Sequence, residues 1–268
     1  MTVMTHAEFQ DLLNRVQRTS EQVQSQGLHL VSTVRAVTHP FGISLVAPGL
    51  DLLLDRLEQQ ILWIPRTVLE IIFMPGTPWT LWNHGSEWAG PMIAGRISQE
   101  INKITLDGTL ADDYWQGLAA DAYRNALPRQ KEAMSALVTQ AQKIDDVLTK
   151  LAVAIGAFWL AFLTCLLAAE LELVAIAVAA MTVVGAPPAA AAGLSTAVKV
   201  CAAVGALLEA FYVWVISYTV PDIKEMRRRL YDGSTFPDGA WPRPSATITD
   251  DARLLDGDGL DWRIKAGV

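Results

Sequence analysis

Between Leu151 and Val220 the chain runs for seventy residues with only four charges, Glu170, Glu172, Lys199 and Glu209. Leu151 to Ala169 is an uncharged run of nineteen residues, about the length a helix needs to cross the hydrocarbon of a bilayer. Val200 to Val220 is a second apolar stretch, interrupted by Glu209 alone. Between them, Gly185-Ala-Pro-Pro-Ala-Ala-Ala-Ala-Gly193 combines helix-stopping prolines with small residues that suit a tight reversal. The pattern predicts two antiparallel apolar helices joined by a short cap. A helix that is apolar all round either spans a membrane or lies in the core of a large protein. The rest of this chain is too small and too polar to wrap two such helices, so a transmembrane hairpin is expected over 151–220.

A reversal centred near Pro188 to Ala190 would put Glu170, Glu172 and Glu209 at one level of the hairpin. Intramembrane carboxylates are costly and suggest a proton or ion path, or an oligomer contact. The competing reading places them at the membrane edge or in solvent. The same pairing gathers Lys143 and Lys150 at the end that carries Arg227, Arg228 and Arg229, while the opposite loop has no charge. The positive-inside rule then puts both outer ends of the hairpin in the cytoplasm.

The remaining composition mostly excludes. Acids outnumber bases 28 to 21, a net charge of −7, which argues against a nucleic-acid-binding protein. The first twenty-five residues are polar and predict no cleavable signal peptide. Cys165 and Cys201 lie in apolar segments without a CxxC partner or a nearby histidine, so they read as small apolar side chains and no metal site is expected. The four histidines (His6, His29, His39, His84) are scattered, and no nucleophile–base pair or phosphate-binding glycine loop accompanies them. Neither an enzyme nor a cofactor-binding protein is expected.

Along the chain, Phe9, Val16, Val23, Leu30 and Val37 repeat every seven residues, with Leu12, Leu13 and Val34 beside them. This predicts a helix over 6–37 with a bundle-type packing stripe, weakened at Gln26-Gly27. Prolines 40, 48, 65, 75 and 78 break the next region, leaving room for short helices near Leu50–Ile61 and Pro65–Phe73. A further helix is expected over 79–104, and another from Asp112 or Asp113 that passes Pro128 and runs into the apolar block. From Tyr231 onward the Gly-, Pro- and Asp-rich sequence reads as an irregular tail. The chain therefore divides into an N-terminal helix with proline-broken apolar segments (1–78), a helical hairpin (79–150), an apolar transmembrane hairpin (151–220), and a basic juxtamembrane segment with its tail (221–268). The fold class is all-α.

One motif stands between the two helices of the 79–150 segment. Trp115-Gln116-Gly117 is followed by Leu118-Ala119-Ala120-Asp121-Ala122-Tyr123. A glycine can take backbone angles that other residues avoid, and a tryptophan beside it can cap the open end of a helical hairpin. This stretch resembles the Trp-x-Gly (WXG) helical-hairpin superfamily of type VII (ESX-like) secretion substrates and associated proteins of actinobacteria and other Gram-positive bacteria. The resemblance rests on Trp115, Gly117, Ala119, Ala120 and Tyr123 and covers about a quarter of the chain. It implies a W-x-G-type helical hairpin or bundle, a protein partner bound through that hairpin in a homo- or hetero-oligomer, and secretion without a cleaved signal. The chain departs from the pattern in its long N-terminal extension and its fused apolar hairpin. Together these readings predict a non-enzymatic, membrane-anchored helical interaction protein associated with type VII secretion, with the bilayer and a protein as partners. The alternative is a secreted, pore-forming or membrane-inserting effector of such a system, found at the cell surface.

Overall fold

The structure, a computed structural model, describes residues 4–41, 49–72, 77–105, 108, 115–116, 118–244 and 263–264. It is all-α, with two helices long and apolar enough to cross a membrane. The chain divides into two compact units, each assembled from two stretches: 1–81 with 150–217, and 82–149 with 218–268.

In the first unit, α1 runs from His6 to Thr38. Its start is a capping box: the Thr5 hydroxyl accepts from the Glu8 backbone N–H, and the Glu8 carboxylate accepts from the Thr5 N–H. Those bonds hold the Glu8 carboxyl below its ordinary range, with the Thr5 backbone contact the largest cause. The apolar stripe points inward as its spacing predicts, with Phe9, Leu12, Val16, Val23, Leu30 and Val34 buried. Gly27 is not a weak point in that stripe. A Cβ there would collide with Ile61 Cδ1, so the glycine lets the helix that carries Ile61 approach α1 closely.

Helix α2 is continuous from Leu50 to Ile72, where the prolines led us to expect two pieces. Pro65 lies inside it and removes one N–H from the helical ladder, a change that costs about 3 kcal/mol in an unsupported helix. Leu54, Leu57, Ile61, Ile64 and Val68 are all buried at helical spacing on either side of the proline, and that packing offsets the break. Arg35 of α1 ties the two helices at their polar edge, donating to Asp55 and Glu58 at 3.1 Å each.

Helix α3 spans Pro78–Ala89 and ends earlier than expected, because Gly90 is extended ahead of Pro91. A π-helical turn, Pro91–Gly95, and the short α4, Arg96–Ile101, follow. Trp82, Trp88 and Met92 of this segment are all substantially exposed.

Helix α5 then extends for 62 residues, Leu118–Ala179. It does not begin at Asp112 or Asp113. Those two residues lie outside the described set, but Trp115-Gln116 is extended and pairs antiparallel with Arg263-Ile264, a pairing no sequence pattern announced. Pro128 is accommodated inside the helix. Helix α6 spans Ala186–Trp214, passes through a π turn at Val215–Thr219 and continues as α7, Val220–Leu230. Residues 231–244 are largely irregular, as the tail's composition predicts.

Candidate functional site: the apolar hairpin and its carboxylates

The second half of α5 and α6 form the predicted apolar hairpin, and several contacts fix its register. Phe158 meets the ring of Phe211, centroids 5.8 Å apart. Cys165 and Ala169 line a small cavity of about 150 Å³ with Ala203 and Val200. Nearer the turn, Thr196 donates to Glu172 at 2.9 Å, and Lys199 Nζ stands 3.7 Å from the same carboxylate.

These contacts correct the assumed turn. Helix α5 ends at Ala179 and α6 starts at Ala186, so the reversal centres on residues 180–185 rather than on Pro188 to Ala190. Pro187 and Pro188 sit in the first turn of α6, where a missing N–H costs no intrahelical bond; they start a helix instead of separating two. With the centre moved toward the N-terminus, Glu209 no longer faces Glu170. It lies roughly 16–18 Å farther along the hairpin, at 1.5 Å of rise per residue. Glu170 and Glu172 stay close to each other, and the side chain that joins Glu172 is Lys199. The sequence shows Lys199 only as one of the four charges of the apolar block. Counting outward from Gly185 as the stop signal, rather than from the prolines, is the signal that would have paired it.

The inner side of the hairpin is covered. Trp159, Phe162, Leu166 and Leu173 are fully buried, and Phe158, Trp159 and Phe162 form one aromatic cluster. The N-terminal segment lies along this surface: Met4, just ahead of α1, approaches Gly156, and Leu30 of α1 approaches Gly193 so closely that a Cβ there would meet Leu30 Cδ2 at 2.5 Å. Helix α2 joins it, with Leu57 also against Gly193 and the Cys201 thiol donating to Gln60 Oε1 at 3.2 Å.

The outer side is bare. Leu171 is 72% exposed, Val178 64% and Val184 88%, and Val198, Tyr212 and Val213 are exposed on α6. One face of the hairpin is therefore sheathed by two amphipathic helices and the other presents an apolar surface.

The W-x-G residues are described only in part. Trp115 and Gln116 are extended, Gly117 lies outside the described residues, Ala120 is fully buried in the first turns of α5, and Tyr123 is half-buried one turn later. The motif thus stands between the end of α4 and the start of α5. The carboxylates and the W-x-G residues belong to different units. No family model, no curated protein and no solved structure matches this chain.

Proposed function

We propose that this is a non-enzymatic helical protein that enters a membrane through the α5–α6 hairpin after α1 and α2 release it. The observation that carries this reading is the one-sided sheath. The N-terminal segment lies along the hairpin, and the outer face of α1 presents Arg15, Arg18 and Glu21 to solvent. Immersing the folded unit would drag those charges into hydrocarbon, at about 2.5–3.5 kcal/mol for each Lys, Arg or Asp at a span's centre. Moving α1 and α2 aside frees an apolar hairpin of spanning length whose own charges are limited to Glu170, Glu172, Lys199 and Glu209, with Glu172 and Lys199 already facing each other. The W-x-G resemblance of residues 79–150 supports a setting in type VII-like secretion, with a protein partner bound through that segment. This is the membrane-inserting reading.

A second reading, a permanent two-span anchor with both outer ends cytoplasmic, is favoured by the bare outer faces of α5 and α6, which suit lipid as they stand.

A disulfide lock distinguishes them. Gln60→Cys faces the native Cys201 across the contact between α2 and α6. In a Cys165→Ser background, oxidation should staple the sheath to the hairpin. The oxidised protein is expected to stay in the aqueous phase with anionic vesicles, and the reduced protein to become resistant to carbonate extraction. Equal carbonate-resistant insertion by both forms would sink the release mechanism and leave the permanent anchor.

A further inference from the structure

In the second unit, the first half of α5 and α7 face each other across an open cleft of about 670 Å³, which adjoins a smaller hollow of about 390 Å³. Gln140 lines both. Its side chain is more than nine-tenths buried, and its Oε1 has no hydrogen-bond partner among the described residues. A buried acceptor without a donor is costly in a folded protein, so this oxygen asks for a donor from outside the chain.

The opposite wall carries two guanidinium groups, Arg228 and Arg229, together with the carboxylates of Glu225 and Asp232. Arg228 and Arg229 share a single carboxylate, Glu225, at 2.7 and 2.9 Å. Each guanidinium carries five N–H donors, and in these contacts each directs only one toward Glu225. Asp232 at the rim is engaged by the N–H and hydroxyl of Ser234 at 3.0 and 2.9 Å. Planar guanidinium donors of this kind match phosphate oxygens. A carboxylate ligand could pair with the arginines but has no proton to donate to Gln140 Oε1. Ala136 and Met226 add apolar wall that suits a short carbon chain.

We propose that this cleft binds a phosphodiester bearing a free hydroxyl, with the phosphate on Arg228 and Arg229 and the hydroxyl donating to Gln140 Oε1. Glycerol phosphodiesters have this chemistry, either as the headgroup of an anionic lipid or as a soluble metabolite. Only the lipid source rests on the membrane reading above.

The test uses the full chain and two variants, Arg228→Gln/Arg229→Gln and Gln140→Leu. Titration calorimetry with glycerophosphoglycerol, the deacylated headgroup of phosphatidylglycerol, should show binding by the native protein that weakens about tenfold or more in the arginine variant, roughly the loss of a charge-assisted hydrogen bond, and about fivefold in Gln140→Leu, roughly the loss of a neutral one. Gln140→Leu removes an unpartnered acceptor, so it should melt no lower than the native chain, which separates a binding defect from a folding one. Flotation with phosphatidylglycerol vesicles identifies the source. Weaker flotation of both variants points to the lipid headgroup, and unchanged flotation with impaired calorimetric binding points to the soluble diester. No binding of the probe by the native chain, or equal binding by all three proteins, overturns the proposal. Carbonate resistance of the arginine variant, measured in parallel, reports on hairpin insertion separately.

Discussion

The two halves of α5 are one helix in their backbone and two different objects in their side chains. Up to about residue 149 the buried positions are mostly small, Ala120, Ala126, Ala133 and Ala141 with Leu127, Gln140 and Val147, and Asp145 and Asp146 lie among the polar positions between. Beyond Lys150 alanines are still buried, but large side chains join them, Trp159, Phe162, Leu166 and Leu173 among others, and the outward positions include Leu160, Leu167, Leu171 and Val174. Helical propensity barely distinguishes the two halves, since alanine and leucine dominate both. The difference is what each needs from its surroundings. The first half carries a polar outer face of its own. The second depends on α1 and α2 for one side and leaves the other unfilled, and a surface of that kind is the mark of an interaction or membrane site.

The comparison breaks first at the core. Trp159→Ala removes a fully buried ring from the aromatic cluster and should cost about 3–5 kcal/mol. Leu127→Ala, the largest comparable truncation in the first half, should fall near the low end of its class, about 2 kcal/mol. Urea unfolding of both variants measures the difference. Equal losses would mean that the two halves are held equally tightly and that the sheath adds nothing special.

Next comes the fit of the sheath itself. Gly193→Val on α6 thrusts a branched side chain into Leu30 of α1 and Leu57 of α2 and should destabilise by about 1–3 kcal/mol, the usual cost of overpacking. If the sheath and the hairpin separate on insertion, the same variant should also insert more readily into vesicles, because it weakens only the closed state. Lower stability with unchanged insertion would detach the sheath from the membrane step.

Long periodic segments were legible in the sequence: the stripe of α1 and the apolar hairpin needed only counting. What was not legible turned on prolines. Pro65 sits within a helix that tertiary packing holds together, Pro91 ends one because the preceding Gly90 is extended, and Pro187-Pro188 open one. The same residue type does all three, and only the neighbours decide. That ambiguity carried into the candidate site, since a turn displaced by several residues separated Glu209 from Glu170 and Glu172 and hid the partner role of Lys199. The coverage of the hairpin by α1 and α2 is a contact between segments far apart in the chain, which periodicity cannot reveal.

Each half of α5 also carries an interhelical ion pair, and these sharpen the comparison at lower energy. Lys143 meets Asp222 at 2.9 Å in the first half, with Asp146 farther off at 3.6 Å. The Asp222 hydrogen bond raises the Lys143 pKa above its ordinary value, against a smaller lowering by burial. A pKa raised on folding stabilises fully below the unfolded value near 10.5 and is lost as pH climbs through the higher folded one. Lys143→Met should therefore cost about 1 kcal/mol or less at neutral pH, and its deficit relative to the native chain should vanish in alkaline solution above that window. A deficit that persists there would assign the loss to packing of the lysine stem.

The pair in the second half, Glu172 with Lys199, is longer at 3.7 Å and more exposed, 49% and 66%. In water Glu172→Gln should change stability by no more than a few tenths of a kcal/mol, as loose surface pairs do. A bilayer reverses the ranking. There a lone Lys199 becomes a charge without a counter-ion, whereas the pair, or a chain lacking both charges, is less costly to bury. Glu172→Gln should then insert less well than the native chain, and Glu172→Gln/Lys199→Met should insert at least as well as it. The quantity to measure is the carbonate-resistant fraction after mixing with vesicles, in a double-mutant cycle. If single and double variants insert alike, Glu172 and Lys199 lie outside the hydrocarbon, and the second half of α5 is a buried or edge segment rather than a span.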